Sequence, residues 1–253
     1  MIGAIIGDIV GSRFEFNNAK TTDFKLFTSE CSFTDDTICT VAIADAILTG
    51  KSYRDSVHDW CRKYPHPMGG YGGSFARWVA SDNPQPYNSF GNGSAMRVSP
   101  VGLYFDNEFG DVLNEAKKTA EITHDHPEGI KGAQVTAMCV WMMRKGYTKA
   151  DMKSYVESEY GALPKFKPFS NPFDETCMNA VPVSVSCVLN STCFEEAIRN
   201  AIIVGGDSDT IGAIVGGIAE AMYGVPAYLK DVALSYLTDD MCKVVERFYN
   251  ETT

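Results

Sequence analysis

The chain has 253 residues, 45% of them hydrophobic and 21% charged, with a formal net charge of −10 at pH 7. That length suits one large domain or two modest ones with a substantial buried core. The acidic balance argues against a nucleic-acid surface or a polybasic membrane contact, and leaves an anionic small molecule as a ligand only where local cations or helix N-termini receive it.

Taken in chain order, apolar periodicity predicts helices over 2–14, 36–49, 52–63, 74–80, 109–122, 128–145, 148–159, 174–189, 194–204, 210–223, 227–236 and 239–250. Their stops follow helix chemistry: Gly50 after AIADAILT, Gly146 after MMRK, and Gly224 with Pro226 after AEAMY. Only VPVSVSCV (181–188) alternates like a strand, and it is placed in a helix. Sustained β/α alternation is missing, so the expected fold is all-α, a single compact domain spanning 1–253. Between the helices, 15–35 is an extended polar segment, 64–73 and 81–94 are rich in Gly, Pro and Asn, and 161–173 links two helices through Pro and Phe. No repeat of 20–50 residues is present.

The eight cysteines form no C-x-x-C pair, and most sit among apolar neighbours, as reduced core thiols do. The opening MIGAIIGDIVG is broken by Asp8 and has no basic leader, so a secretion signal is not expected. No stretch reaches the ~18 uninterrupted apolar residues of a membrane span. A cytoplasmic monomer is the expectation.

One internal echo carries chemistry. TDDTICTVAIADAILTG (34–50) and DSDTIGAIVGGIAEAMYG (207–224) each set acidic residues and a Thr before Ile, an apolar helix and a Gly. Capping a helix needs one side-chain oxygen, and Asp and Thr are preferred there. Each mouth offers three: Thr34, Asp35 and Asp36, then Asp207, Asp209 and Thr210. If the mouths face each other, four aspartates carry a charge that two divalent ions would cancel. An all-oxygen set selects hard cations, Mg²⁺ or Mn²⁺, over Zn²⁺.

Two further features join that pair. Gly3, Gly7, Gly11 and Glu15 recur every four residues, a stripe that lets another helix approach and ends in a carboxylate able to reach the same site. Asp8, inside that helix, is expected to make a buried structural hydrogen bond. In FGNGSAMR (90–97) the Gly91-Asn92-Gly93-Ser94 turn feeds a helical start, its amides free for an anion, with Arg97 adding positive charge. Gly72 and Gly73 with Ser74 form a similar mouth.

GDIVGSRFEF, FTDDT, GNGSAMR, THDHP (123–127) and GGDSDTIGAIVGG resemble, in order and approximate spacing, the ADP-ribosylglycohydrolase family, from residue 3 to about 226. The resemblance implies an all-α fold around a binuclear Mg²⁺ or Mn²⁺ centre. Its ligands would be Thr34, Asp35, Asp36, Asp207, Asp209 and Thr210. Glu15 would match the glutamate near the metals, Gly91–Ser94 the loop that touches ADP-ribose, and His124 a histidine beside the cleft. One departure is visible: some bacterial members carry Asp where this chain has Gly70, so base chemistry assigned to that residue does not transfer. The implied reaction is hydrolysis of the C1″ glycosidic bond of ADP-ribose on a protein side chain or small acceptor. Glu15 would be the acid or base; Asp36 stands beside it among the catalytic carboxylates as a metal ligand. Two other functions are kept open: a catalytically silent ADP-ribose-binding or crystallin-like member, and a two-metal pyrophosphohydrolase.

Overall fold

The computed structural model describes residues 1–106 and 109–252, and among these it contains fourteen α-helices and no β-strand. Two of them form the axis of the molecule: α1 (Ile2–Gly11) and α12 (Ser208–Tyr223). All ten residues of α1 are buried, as are Ser208–Ala219 of α12. The glycine stripe explains how two helices come so close. A Cβ added at Gly7 would lie 1.8 Å from the Gly212 carbonyl oxygen, one at Gly3 2.2 Å from that of Gly216, and one at Gly11 2.5 Å from that of Ser208. The relation is reciprocal, since a Cβ on Gly216 would meet the Gly3 oxygen at 1.9 Å. Backbone therefore packs on backbone along the whole crossing, and the end of α1 is fixed beside the mouth of α12.

Around this axis pack α2 (Asp35–Thr49), α8 (Pro127–Arg144), α10 (Cys177–Leu189), α11 (Phe194–Val204) and α13 (Ala227–Leu234), with α3 (Tyr53–Lys63), α4 (Gly73–Ala80), α7 (Phe109–Glu121), α9 (Lys149–Tyr160) and α14 (Asp239–Thr252) outside them. α8 is long and apolar on every side because neighbours cover it almost all round, with Gly129 and Gly132–Met143 buried apart from Gln134. Asp8 ties α1 to α2. Its carboxylate accepts from the Thr34 amide (3.0 Å) and hydroxyl (2.7 Å), the Thr37 amide (3.1 Å) and the Thr37 hydroxyl. That is the buried structural role expected of it.

Each of the twelve predicted helices has a counterpart. α1 stops at Gly11 instead of residue 14, because the chain turns there, Phe14 N–H donating to the Gly11 carbonyl. α10 begins at Cys177 instead of 174, since Thr176 caps it and 175–177 pair with 90–92 in an isolated antiparallel bridge between Gly91 and Thr176. Two short helices, α5 (Gly93–Met96) and α6 (Ser99–Tyr104), are too brief for apolar periodicity to register. VPVSVSCV is helical throughout. All eight cysteines are free thiols, six of them buried. No helix among the described residues is long and apolar enough to cross a membrane.

Candidate active site

The two acidic mouths do face each other. They open on one cleft of about 360 Å³, walled also by Glu15, the 69–74 loop, Gly91–Gly93, His124 and Glu175. At its floor, carboxylate oxygens of Glu15, Asp207 and Asp209 lie within 4.8 Å of one another. Asp35, Asp36 and Thr210 complete the polar wall.

Capping does not account for these carboxylates. In α2 the cap is Thr34, whose hydroxyl accepts from the Asp36 amide at 3.2 Å and donates to Asp8. Neither Asp35 nor Asp36 is needed for it. In α12 Asp207 occupies the cap position yet makes no side-chain cap bond. It accepts instead from Asn92 Nδ2 at 2.7 Å. Asp36 Oδ2 is buried with no protein hydrogen-bond partner at all. An orphaned carboxylate oxygen inside a protein costs several kcal/mol unless a cation joins it, on the order of the penalty for an unpaired buried charge.

The electrostatics follow from this crowding. Burial first, then the charges of Asp8, Asp35 and Asp207, holds the Asp36 carboxyl well above the usual carboxylate range. Burial, then Asp207 and Asp36, does the same to Asp209. Asp35 is raised by burial and then by its neighbours Cys39 and Asp8, and Asp207 chiefly by burial. Glu15 is pushed up to about 7 by burial and the charges of Asp207, Asp8 and Glu175. These all-oxygen donors with their surplus charge fit one or more hard divalent cations.

Other expected residues fall into place with three corrections. Gly72 and Ser74 line the cleft at the start of α4, and the Ser74 hydroxyl accepts from Arg77 Nη2 at 2.9 Å. Gly91, Asn92 and Gly93 line it opposite Asp207. Ser94, however, is fully buried and its hydroxyl donates to the Gly129 carbonyl, so its side chain serves packing instead of the cleft surface. The amides of the turn are also only partly available: Asn92 N–H donates to the Glu175 carbonyl and Gly91 N–H to Ser89 Oγ. Arg97 also lines the cleft, but it is 1% exposed and spends Nη2 on the Thr119 carbonyl and the Thr123 hydroxyl, so only the rest of its guanidinium is left to face an anion. Gly70, at φ +81°, supplies no carboxylate and leaves open space beside it.

Sequence reasoning missed Glu175, a cleft residue raised by burial and by Asp207 and Asp174. It lies in FDETC, which carries no recognisable pattern; only the bridge to Gly91 brings it in. Phe16 was likewise missed: it is 74% exposed on the rim and tilts against Phe173 at 6.1 Å between ring centroids.

A helical shell encloses a cleft floored by carboxylates, and comparison with known proteins gives its class. The family model for ADP-ribosylglycohydrolase matches residues 1–253. Among curated proteins the chain is similar to the ADP-ribosylhydrolase ARH3 of Danio rerio, 25% identical over 89% of this chain and 82% of that one. It is also similar to the ADP-ribosylarginine hydrolase Tri1 of Pseudomonas putida (strain GB-1), 24% identical over 93% and 73%. A solved structure titled "ADP-ribosylglycohydrolase-related protein complex" superposes with a TM-score of 0.75 at 22% identity, covering 100% of this chain and 97% of that one. The chain belongs to the ADP-ribosylglycohydrolase family. It is accordingly an enzyme, a hydrolase of ADP-ribose glycosidic bonds.

Proposed function

We propose that this protein releases ADP-ribose from an ADP-ribosylated side chain or small conjugate in a reaction that requires Mg²⁺ or Mn²⁺. The observation that carries the reading is the meeting of Glu15, Asp207 and Asp209 oxygens at the cleft floor, with the unpartnered Asp36 Oδ2 facing the same charge. Asp35, Asp36, Asp207, Asp209 and Thr210 would hold the cations; Thr34, expected among them, lies off the cleft with its hydroxyl engaged by Asp8 and the Asp36 amide, and supports the first mouth from beneath instead. When bound, such cations supply Lewis-acid stabilisation and orient the hydroxyls of the distal ribose.

The chain's own residues do the rest. Gly91–Gly93 and His124 line the side of the cleft suited to the diphosphate and ribose oxygens. Breaking the bond from C1″ to the acceptor leaves positive charge on the sugar ring, which the surrounding carboxylates stabilise. Water forms the new bond to C1″ as the bond to the acceptor breaks, the acceptor keeping the bonding electron pair; Glu15 takes the water's proton and passes it to the departing acceptor.

The test is a panel of arginine-, serine- and acetyl-linked ADP-ribose substrates, assayed with Mg²⁺ or Mn²⁺ and with chelator. Cation-dependent release of intact ADP-ribose is expected. AMP as the product would assign the cleft to pyrophosphate hydrolysis, and binding without turnover would make it a reader. Glu15→Gln should retain ADP-ribose binding and lower kcat by a factor of at least about 100, the scale of a lost general acid–base group.

A further inference from the structure

Arg97 and Thr123 are buried polar residues that the reaction does not touch, and they form a chain that ends in the cleft. Arg97 Nη2 donates to Thr123 Oγ1 at 2.8 Å, and Thr123 Oγ1 lies 2.6 Å from His124 Nδ1. A guanidinium can only donate. Among the described residues the threonine hydroxyl has no other acceptor within hydrogen-bond distance, so its single hydrogen is satisfied only by the imidazole, and Nδ1 is the acceptor. The proton of the neutral ring must then sit on Nε2. This nitrogen faces the glycine turn: a Cβ built on Gly93 would lie 3.1 Å from it and one on Gly91 3.5 Å. The ring is 5% exposed, and its backbone is pinned at the end of α7 by His124 N–H to the Ala120 carbonyl at 2.8 Å. Arg97 in turn is anchored by the Thr119 carbonyl at 2.8 Å.

We infer that Arg97 and Thr123 are positioning residues that lock His124 as the Nε2–H tautomer, presenting a fixed neutral donor to a ligand oxygen held against the Gly91–Gly93 turn. Burial and the nearby Arg97 charge also keep the imidazole from protonating, which agrees with the tautomer read from the hydrogen bonds. A neutral donor suits this place. An Nε2–H group offers a hydrogen bond without adding charge to the cleft. The identity of that oxygen, on ADP-ribose, rests on the function proposed above; the tautomer does not.

The experiment is ¹⁵N–¹H long-range correlation spectroscopy on histidine-labelled full-length protein, with His124 assigned by loss of its signals in His124→Gln. Ligand-free wild type is expected to show the Nε2–H pattern, and ADP-ribose should shift Nε2 more than Nδ1. Thr123→Val should populate the Nδ1–H form and weaken ADP-ribose binding about tenfold, roughly the worth of one well-placed hydrogen bond. Thr123→Ser, which keeps the hydroxyl, should restore both. An Nδ1–H or imidazolium pattern in the wild type overturns the inference, as does an unchanged tautomer in Thr123→Val. Failure of the wild type to bind ADP-ribose would instead strike at the proposed function, because the ligand-free spectra are read without it.

Discussion

Asn92 Nδ2 donates to Asp207 Oδ2 over 2.7 Å, joining the glycine-rich turn to the second acidic mouth. The same residue's amide donates to the Glu175 carbonyl, so one asparagine gathers three parts of the cleft. Asn92→Asp keeps the shape and replaces the donor by a carboxylate opposite Asp207. Chelated protein should lose about 2 kcal/mol, as expected for breaking a hydrogen bond to a charged group. Added Mg²⁺ should recover more stability in the variant than in wild type, measured as the shift in thermal midpoint.

The cluster also sets a pH dependence in the cation-free protein. In the unfolded chain its carboxyl groups titrate near about 4. Folding raises Asp8 to about 6 and Glu15 to about 7, with Asp35, Asp36 and Asp209 raised well above their ordinary value. Between those limits the folded state holds more protons than the unfolded one, so stability falls as pH rises from about 4 to 7. Thermal midpoints in chelator should decline across that window, and saturating Mg²⁺ should flatten the decline. A midpoint in chelator that rises through the same range, relative to the cation-loaded protein, contradicts the arrangement.

Asp36→Asn removes one of the repelling charges and leaves an uncharged amide at the orphaned position. Chelated protein should gain about 1 kcal/mol, within the usual range for relief of a functional site. Catalysis and the thermal response to divalent cations should both be lost. Denaturant melts with and without Mg²⁺ check the two signs together.

Gly7→Ala would drive a methyl group into the Gly212 carbonyl at 1.8 Å. Separating α1 from α12 should cost more than about 3 kcal/mol, the upper range for overpacking a core. Gly146→Ala, at φ +80° with open space around it, isolates the backbone effect and should cost only about 1–2 kcal/mol. Urea midpoints of the two variants give the comparison.

The helices and the acidic mouths were legible because both have local signatures: apolar periodicity for the first, carboxylates in excess of capping need for the second. The glycine stripe was legible as an invitation to close packing, although its partner glycines, Gly212 and Gly216, emerge only from the fold. What sequence could not show was how neighbours use up polar groups. Arg97 reads as a free cation until Thr119 and Thr123 claim it, and Ser94 reads as a ligand contact until Gly129 accepts its hydroxyl. Glu175 reaches the cleft only through pairing between segments about 80 positions apart, and no local pattern encodes that.

The backbone-to-backbone crossing of α1 and α12 makes the helix crossing itself the ruler for the catalytic floor. Glu15 follows the C-terminal end of α1 and Asp209 lies in the first turn of α12, both at the same end of that crossing, where Gly11 is seated on Ser208 and Asp209. No side chain intervenes to act as a spacer of adjustable length. Swapping bulky residues elsewhere in the interior can therefore reshape the core while the gap between these two carboxylates stays constant.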